Sequence, residues 1–345
     1  MKSVSRSKRA TIYDVAAAAR VSTATVSRYL RGYDRITAEK KKRIQQAIAA
    51  LDFEPHPIAR SLALPIKRTL GLLIMRGSRA YADLFLAEIL SGVTRAASAL
   101  ELSLMISVPS ASSEIPSVVE RIRRVVDGSL LLDVSLGDQT VRKLAAGGHP
   151  ILLVNQVHSR IPSVSIDNYL GGKTAAEYLV KLGHTRIACL AGDTSISRQR
   201  LDGYLSGLAE GGLRPAEVVG CAFDREKARR AFRKIIKRRK PPTALLVASD
   251  WMAVGVLEEA RALGVEIPRD LSVIGFDDAI IAETTVPALT TIRQPLERLG
   301  AEAVETLWGF VTKTEKTPGS SRKRFSEKSL APKLVVRQST APPQL

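Results

Sequence analysis

The sequence predicts a small all-α N-terminal domain followed by a larger α/β body built on parallel sheets. Three observations support this prediction: residues 11–63 contain three short amphipathic helices, the first 60 residues are strongly basic, and the remaining chain alternates strand-like with helix-like segments. A chain of 345 residues is too long for one small domain. Its length fits a headpiece of about 60 residues plus a large body.

The three N-terminal helices show apolar residues at helical spacing, with a tight turn at Arg20-Val21 between the first two. The first has Ile12, Val15, Ala16 and Ala19 at i, i+3, i+4 and i+7. Ser22 is expected to cap the second helix, and Thr37 the third. The apolar positions of the last two helices are Val26 and Leu30, then Ile44, Ala47, Ile48 and Leu51.

The outward face of the second helix carries small and basic residues and no acid: Thr23, Ala24, Ser27, Arg28 and Arg31. The first 60 residues hold 13 Lys and Arg against 5 Asp and Glu, a net charge of +8 out of +18 for the chain. These features favour a helix-turn-helix that places its second helix in the major groove of DNA. A three-helix bundle with no DNA role is the alternative.

The segments YDVAAAARVSTATVSRYL and EPHPIARSLA resemble the headpiece of the lactose/galactose repressor family of bacterial transcription regulators. The Asp-Val-Ala start, the Val-Ser-x-x-Thr-Val-Ser-Arg block and the Pro-x-x-x-Ala-Arg-x-Leu block occur in the family's order and spacing. The resemblance covers nearly the whole chain. It implies an all-α helix-turn-helix headpiece plus an α/β periplasmic-binding-protein-like core of two parallel-sheet subdomains.

The expected boundaries are a headpiece at 1–56, a hinge helix and linker at 57–66, and an effector-binding and dimerisation core at 67–345. Within the core we expect one subdomain at about 67–165 and 293–325, and a second at about 166–292 and 326–340. Residues 313–324 are predicted as a polar surface loop, and 333–340 as the last strand. The tail after residue 340 has no leucine heptad, so the coiled-coil tetramer of some relatives is not expected.

The sequence contains no motif that supports an enzymatic function. Gly171-Gly172-Lys173-Thr174 resembles part of a phosphate loop, but that motif needs a glycine where Asp167 stands. There is no G-x-S-x-G elbow, and the four histidines lack metal-ligand spacing. Cys189 and Cys221 are expected to be reduced thiols in a reducing cytoplasm. No signal peptide or apolar run of membrane-spanning length is recognised.

A ligand cleft is the remaining kind of site. In open α/β sheets, ligands bind beyond the carboxyl ends of strands, so residues that follow predicted strands are the candidates. An Asp/Arg pair suits hydroxyl-rich ligands, and an aromatic ring can stack on a sugar or a purine. The candidate effector contacts are Arg76, Phe85, Asn155, Asp167, Arg200, Phe223, Ser249, Asp250 and Asp277.

The resemblance gives several of these positions a role. Arg200 and Asp277 match the family's effector contacts, Phe223 matches a ring-stacking position, and Leu62 matches the hinge leucine that wedges into the minor groove. Asn155 stands where sugar-binding relatives often have Asp, and Arg31 where relatives often have Asn. The residues assigned to DNA contact are Thr11, Tyr13, Ser22, Thr23, Ala24, Thr25, Ser27, Arg28, Arg31, Arg60 and Leu62.

The predicted function is a cytoplasmic, nucleoid-associated repressor of a carbohydrate-use operon, without cofactor or metal and not an enzyme. It is expected to bind a pseudo-palindromic operator as a homodimer, and a sugar, sugar acid or sugar phosphate as effector. A sugar or sugar derivative is favoured, and Arg76, Arg198 and the absence of an acid at Asn155 make the cleft more positive, which raises the chance of an acidic derivative. The alternatives are a purine-responsive regulator, a secreted solute-binding protein with the same core, or an activator. Both an inducing and a co-repressing effector remain open.

Overall fold

The computed structural model describes residues 10–30, 36–53, 66–74, 80–132, 136–316 and 327–344. The chain divides into two compact units, Met1–Thr69 with Arg124–Asp127, and Leu70–Arg123 with Gly128–Leu345. The predictions for Arg31, Arg60, Leu62 and Arg76, and for the hinge up to residue 65, lie outside the described residues.

The N-terminal unit contains the three predicted helices, α1 (Ile12–Ala19), α2 (Thr23–Leu30) and α3 (Ala38–Ala50). Val15, Val26 and Ile44, one from each helix, are fully buried in a shared apolar core. The spacing prediction is therefore confirmed. Burial of this apolar face is the main source of stability for helices of only 8 to 13 residues.

Local hydrogen bonds set where these helices begin and end. The Ser22 hydroxyl accepts from the Thr25 backbone N–H at 3.2 Å, as the sequence predicts. Thr37 stands at the start of α3, but its side chain makes no cap hydrogen bond. Arg20 ends α1 in the left-handed conformation, with φ 53°, which turns the chain toward α2. The tight turn between α1 and α2 therefore depends on the left-handed backbone conformation of Arg20.

The first sheet of the body has six strands among the described residues, in the spatial order Glu327–Leu330 (β11), Ser163–Ile166 (β5), Ile151–Val154 (β4), Gly128–Leu132 (β3), Thr69–Ile74 (β1) and Ser103–Ser107 (β2). Its buried strands are continuous apolar runs such as Leu130–Leu131–Leu132, which is typical of a sheet covered on both faces. The elements are β1 (Thr69–Ile74), α4 (Ala80–Ala99), β2 (Ser103–Ser107), a 3-10 turn (Ser112–Glu114), α5 (Ile115–Ile122), β3 (Gly128–Leu132), α6 (Asp138–Ala146), β4 (Ile151–Val154), β5 (Ser163–Ile166) and β11 (Glu327–Leu330).

The second sheet is parallel and has four strands among the described residues, in the spatial order Glu217–Gly220 (β7), Ile187–Ala191 (β6), Ala244–Val247 (β8) and Ser272–Ile274 (β9). Its elements are α7 (Asn168–Lys181), β6 (Ile187–Ala191), α8 (Ser195–Glu210), β7 (Glu217–Gly220), α9 (Arg225–Ile235), β8 (Ala244–Val247), α10 (Asp250–Ala262), β9 (Ser272–Ile274) and α11 (Ile280–Thr284). The predicted alternation of strands and helices is confirmed in both sheets.

Three segments cross between the two sheets: the Ile166–Asn168 junction, residues 291–296 and residues 330–333. Two of them pair as β10 (Thr291–Arg293) and β12 (Lys333–Val335), antiparallel, and the helix α12 (Leu296–Lys316) then packs on the first sheet. The two subdomains are therefore joined at one edge by several adjacent chain passages.

Two predictions about the tail are wrong. The segment from 326 was expected in the second subdomain, yet Glu327–Leu330 pairs in parallel with Ser163–Ile166 of the first sheet. Only Leu330 of this strand is buried, so backbone pairing rather than an apolar pattern determines its place. Residues 313–316, expected in a loop, continue α12, because no glycine or proline interrupts the chain before Pro318.

Gly172, from the segment that resembled a phosphate loop, serves helix packing instead, together with Gly203 of α8. A Cβ on Gly172 would lie 2.2 Å from the Arg200 carbonyl oxygen, and one on Gly203 would lie 2.1 Å from the Tyr169 carbonyl oxygen. The backbones of α7 and α8 thus approach closely only because these residues lack side chains. This contact fixes the position of Arg200.

No helix within the described ranges is both long and apolar enough to cross a membrane.

Candidate functional site

The candidate DNA-reading surface is the outward side of α2. Ala24 and Arg28 are exposed, and Thr23 and Ser27 are half-buried. No acidic residue occurs in Thr23–Leu30. A short helix with small exposed side chains can approach base edges closely, and Arg28 is suited to phosphate or guanine contact.

Three residues assigned to DNA contact also have structural partners. The Thr11 hydroxyl donates to Asp14 Oδ2 at 2.7 Å, within a capping box that begins α1. Ser22 and Thr25 are joined through their hydroxyls at 2.9 Å at the start of α2. Tyr13 is 73% exposed on α1 and has its ring in solvent.

The centre of the candidate effector site is the Arg200 side chain on α8, which is 4% exposed. Its Nε donates to Asn168 Oδ1 at 2.9 Å, and its Nη1 donates to the Ala248 carbonyl at 2.6 Å and to Asp277 Oδ1 at 3.1 Å. Asn168 follows β5 of the first sheet, whereas Asp277 follows β9 of the second. Arg200 therefore links the carboxyl ends of both sheets.

Asp277 also accepts a hydrogen bond from residues 291–296, one of the segments that cross between the two sheets. The Gln294 amide donates to Asp277 Oδ1 at 2.7 Å, and Gln294 follows β10. Asp277 has a φ of 126°, in the region that non-glycine residues seldom adopt. Burial raises the pKa of the Asp277 carboxyl, and the Gln294 hydrogen bond opposes this shift. The strained backbone and the buried carboxyl are typical of a functional position.

Three buried oxygen atoms at this edge have neither a hydrogen-bond partner nor an ion-pair partner among the described residues: Asn155 Oδ1, Asp277 Oδ2 and Gln294 Oε1. All three belong to side chains that are at most 4% exposed. Asn155 follows β4, and the next residue, Gln156, contacts the Ser195 hydroxyl of α8 at 3.5 Å. Buried polar atoms without partners are rare and costly, so these acceptors indicate a site for a hydrogen-bond donor.

Other candidates have roles in the fold. Ser249 Oγ accepts from the Met252 N–H and caps α10. Asp167 Oδ1 accepts from the Leu170 N–H at 2.8 Å and caps α7. Asp250 is fully buried, accepting from the Ala279 N–H at 2.9 Å and from the Thr291 hydroxyl at 2.6 Å. Asp250 therefore ties α10 to the loop after Asp277 and to β10.

We expect Asp250 to make stability fall as the pH rises. Burial raises the pKa of Asp250 to about 7, from the 3.8 of an exposed carboxyl, so the folded chain keeps a proton that the unfolded chain releases. The stabilisation is complete below the unfolded pKa and is lost as the pH rises through the folded value. A pKa shift of this size corresponds to a change of about 4 kcal/mol in the free energy of unfolding over this pH range.

The test is urea unfolding of wild type and Asp250→Asn between pH 5 and 8. Asparagine can accept from Ala279 and donate to Thr291, so it mimics the protonated acid. The variant should become progressively more stable relative to wild type as the pH approaches 7. Two parallel curves of unfolding free energy against pH would contradict this assignment.

Aromatic rings flank Arg200. Its Cζ lies 3.8 Å from the centroid of the buried Phe276 ring and 6.0 Å from that of Phe223. Phe223 is half-buried and covers Gly192, where a Cβ would lie 2.3 Å from the ring. Phe85, by contrast, packs against the apolar core of the first subdomain.

The structure adds Asn168, Gln294 and Phe276 to the residues around Arg200. Sequence reasoning missed them because Asn168 and Gln294 contact residues that are 32 and 17 positions away in the chain. Asn168 immediately follows the candidate Asp167, which was the one available signal. Within the described part of the chain, no group of His, Cys, Asp or Glu could hold a metal ion.

Comparison with known proteins agrees with this architecture. Residues 11–56 match the model for bacterial regulatory proteins of the lacI family, and residues 176–340 match a periplasmic binding protein-like domain. The HTH-type transcriptional repressor CytR of Escherichia coli (strain K12) is 32% identical over 318 residues, covering 88% of this chain and 90% of that protein.

Two solved structures are similar over nearly the full length. The lac repressor dimer bound to operator and the anti-inducer ONPF has a TM-score of 0.80 at 27% identity, covering 97% of this chain and 100% of that one. The transcriptional regulator CelR in complex with cellobiose has a TM-score of 0.70 at 28% identity, covering 96% and 100%.

A helix-turn-helix unit joined to a two-sheet binding-protein body defines a ligand-responsive DNA-binding regulator. The chain belongs to the LacI family of bacterial transcriptional regulators.

Proposed function

We propose that this protein is a repressor whose affinity for its operator is controlled by a neutral, polyhydroxylated small molecule, a sugar or sugar derivative. The observation that supports this ligand class is the set of three unpartnered acceptors, Asn155 Oδ1, Asp277 Oδ2 and Gln294 Oε1. Each suits a hydroxyl that donates. A sugar supplies several such hydroxyls at fixed spacing, and Phe223 offers a ring for its apolar face.

An anionic sugar derivative, which the sequence left open because of Arg76, Arg198 and Asn155, has less support than a neutral one. Asp277 already lies within ion-pair distance of Arg200, Arg198 is exposed, and Arg76 lies outside the described residues. A phosphate or carboxylate would bring negative charge next to three oxygen acceptors, which is unfavourable in a buried site. CelR, a similar protein, was solved with cellobiose, which is uncharged.

Binding at this site would draw together elements of both subdomains. Asn155 follows β4 of the first sheet, Asp277 follows β9 of the second, and Gln294 lies in a crossing segment. A ligand that contacts all three favours one relative position of the sheets, and it changes operator affinity only by its different affinity for the two positions. Transmission to the headpiece would run through residues 57–65, outside the described residues.

We also propose that the protein acts as a homodimer on a pseudo-palindromic operator in the cytoplasm, without enzymatic activity. The lac repressor relative was solved as a dimer on operator. Apolar side chains that a partner copy could cover include Ile280, 66% exposed, and Val286, 91% exposed.

The test is a thermal-shift screen of matched ligand pairs, each a neutral sugar and its phosphate or acid. We expect the neutral member to raise the Tm, since a ligand at about 100 times its Kd adds about 2.7 kcal/mol. Asn155→Gly should abolish that rise with little change in the ligand-free Tm, because glycine accepts the φ of 59° at this position and no hydrogen bond to Oδ1 is lost.

Preferential stabilisation by the charged member, or an undiminished shift in Asn155→Gly, would contradict the proposed ligand class. Ser110→Gly, at an exposed position of the same subdomain, is the control for glycine introduction.

A further inference from the structure

The segment from Arg225 to Lys240 is the most basic in the body. It contains ten Lys and Arg residues and a single acid, Glu226. The first 60 residues account for a net charge of +8 out of +18, so much of the remainder is concentrated here. The proposed effector site uses none of these side chains.

Part of this charge holds α9 against α10. The apolar side of α9, which includes Ala228, Ala231 and Phe232, is buried. Beside it, Arg229 and Arg233 both bind Glu259, which is 1% exposed, and Arg225 binds Glu258. Arg229 also pairs with Glu226, so the three arginines on this side meet three glutamates, and these ion pairs fix the orientation of the helix.

The other flank of α9 is different. Lys227, Arg230 and Lys234 lie at i, i+3 and i+7, and the exposed residues Lys237, Arg239 and Lys240 continue the charge beyond the helix end. None of these six forms a salt bridge with any acidic residue that the structure describes. We call these six residues the basic stripe. Neighbouring like charges repel, so the stripe is suited to a polyanion.

We propose that the basic stripe binds the phosphate backbone of duplex DNA, as a second DNA contact independent of α2. The stripe has no exposed aromatic ring on which an unpaired base could stack, since Phe232 is fully buried. It also has no exposed apolar centre, and lysine is depleted at the cores of protein–protein interfaces. Interfaces with duplex DNA are strongly basic and need no apolar core.

The spacing of the stripe fits this partner. Lys227 and Lys234 are seven residues apart, about 10 Å along a helix axis. Phosphates along one DNA strand advance about 3.4 Å each, so this length covers about three phosphates. The contact would be sequence-independent, since backbone phosphates carry no base identity.

The experiment measures binding of the full-length protein to a labelled 30-bp duplex of random sequence, by anisotropy, across a series of salt concentrations. The stripe variant carries Arg230→Gln, Lys234→Gln, Lys237→Gln and Lys240→Gln. We expect its slope of log affinity against log salt to be shallower than wild type by about 3 to 4, or about 0.9 per lost phosphate contact. Its affinity at low salt should fall by at least about tenfold.

The matched control removes four exposed cations elsewhere in the body: Arg121→Gln, Arg142→Gln, Lys143→Gln and Arg214→Gln. It should retain nearly the wild-type slope. Equal losses in both variants would mean that only net charge matters and would overturn the proposal, as would an unchanged slope in the stripe variant. A labelled glutamate polymer bound more tightly than the duplex, and through the stripe, would identify an acidic protein as the partner instead.

Discussion

Replacing Arg200 by methionine is expected to remove effector binding and to weaken the body while operator binding persists. Methionine leaves Asp277 Oδ1 with Gln294 alone and leaves Asn168 Oδ1 and the Ala248 carbonyl without the guanidinium. Breaking a buried ion pair costs about 3–5 kcal/mol of stability. The loss in effector affinity should be about 2–5 kcal/mol, a factor of about 30 or more.

Effector affinity would be measured by calorimetry, operator affinity by anisotropy, and stability by urea unfolding. Arg198→Met, at an exposed position on the same helix, is the matched control and should behave as wild type. Asp277→Asn, which keeps the shape of the side chain, separates the effect of charge from that of packing. Full effector affinity in folded Arg200→Met would place the ligand elsewhere in the body.

Replacing Ala24 by glutamate is expected to abolish operator binding without unfolding the headpiece. Ala24 is exposed on α2, whose outward side has no acid, so the new carboxylate would meet DNA phosphates or base acceptors. Like charges placed together at an interface cost several kcal/mol. A loss of about 3 kcal/mol lowers operator affinity by about 100-fold or more.

Ala49→Glu is the control, because Ala49 is an exposed alanine on α3 and gives the same change in charge. Both variants should retain helical circular dichroism and the wild-type Tm. If Ala24→Glu bound operator as tightly as Ala49→Glu does, α2 would not be the reading helix.

The candidate site was partly predictable from sequence. Arg200 and Asp277 were expected to act together, and the structure places them 3.1 Å apart. Their placement follows from a general property of parallel sheets, whose carboxyl ends collect functional residues. Ser249 and Asp167 were also selected by that rule, but their side chains cap helices. Position after a strand therefore does not distinguish a ligand contact from a helix cap.

The tail was less predictable. The strand Glu327–Leu330 reads EKSL, a sequence without strand-like alternation, and it exists because β5 offers an unpaired edge. The ion pairs of Arg337 could not be predicted from the sequence either. Its guanidinium lies 2.7 Å from Asp278 and 2.9 Å from Glu283. Such pairings join residues more than fifty positions apart, and no local pattern encodes them.

The sequence by itself determined the three headpiece helices, the acid-free side of α2, the alternation of the body and the family, because all of these depend on short-range periodicity and local motifs. Only the tertiary structure decided which polar atoms have partners. Asn155 Oδ1, Gln294 Oε1 and Asp277 Oδ2 are unpartnered among the described residues, whereas Asp250 is fully bonded. Hydrogen-bond satisfaction depends on neighbours that are distant in the chain, and only folding brings them together.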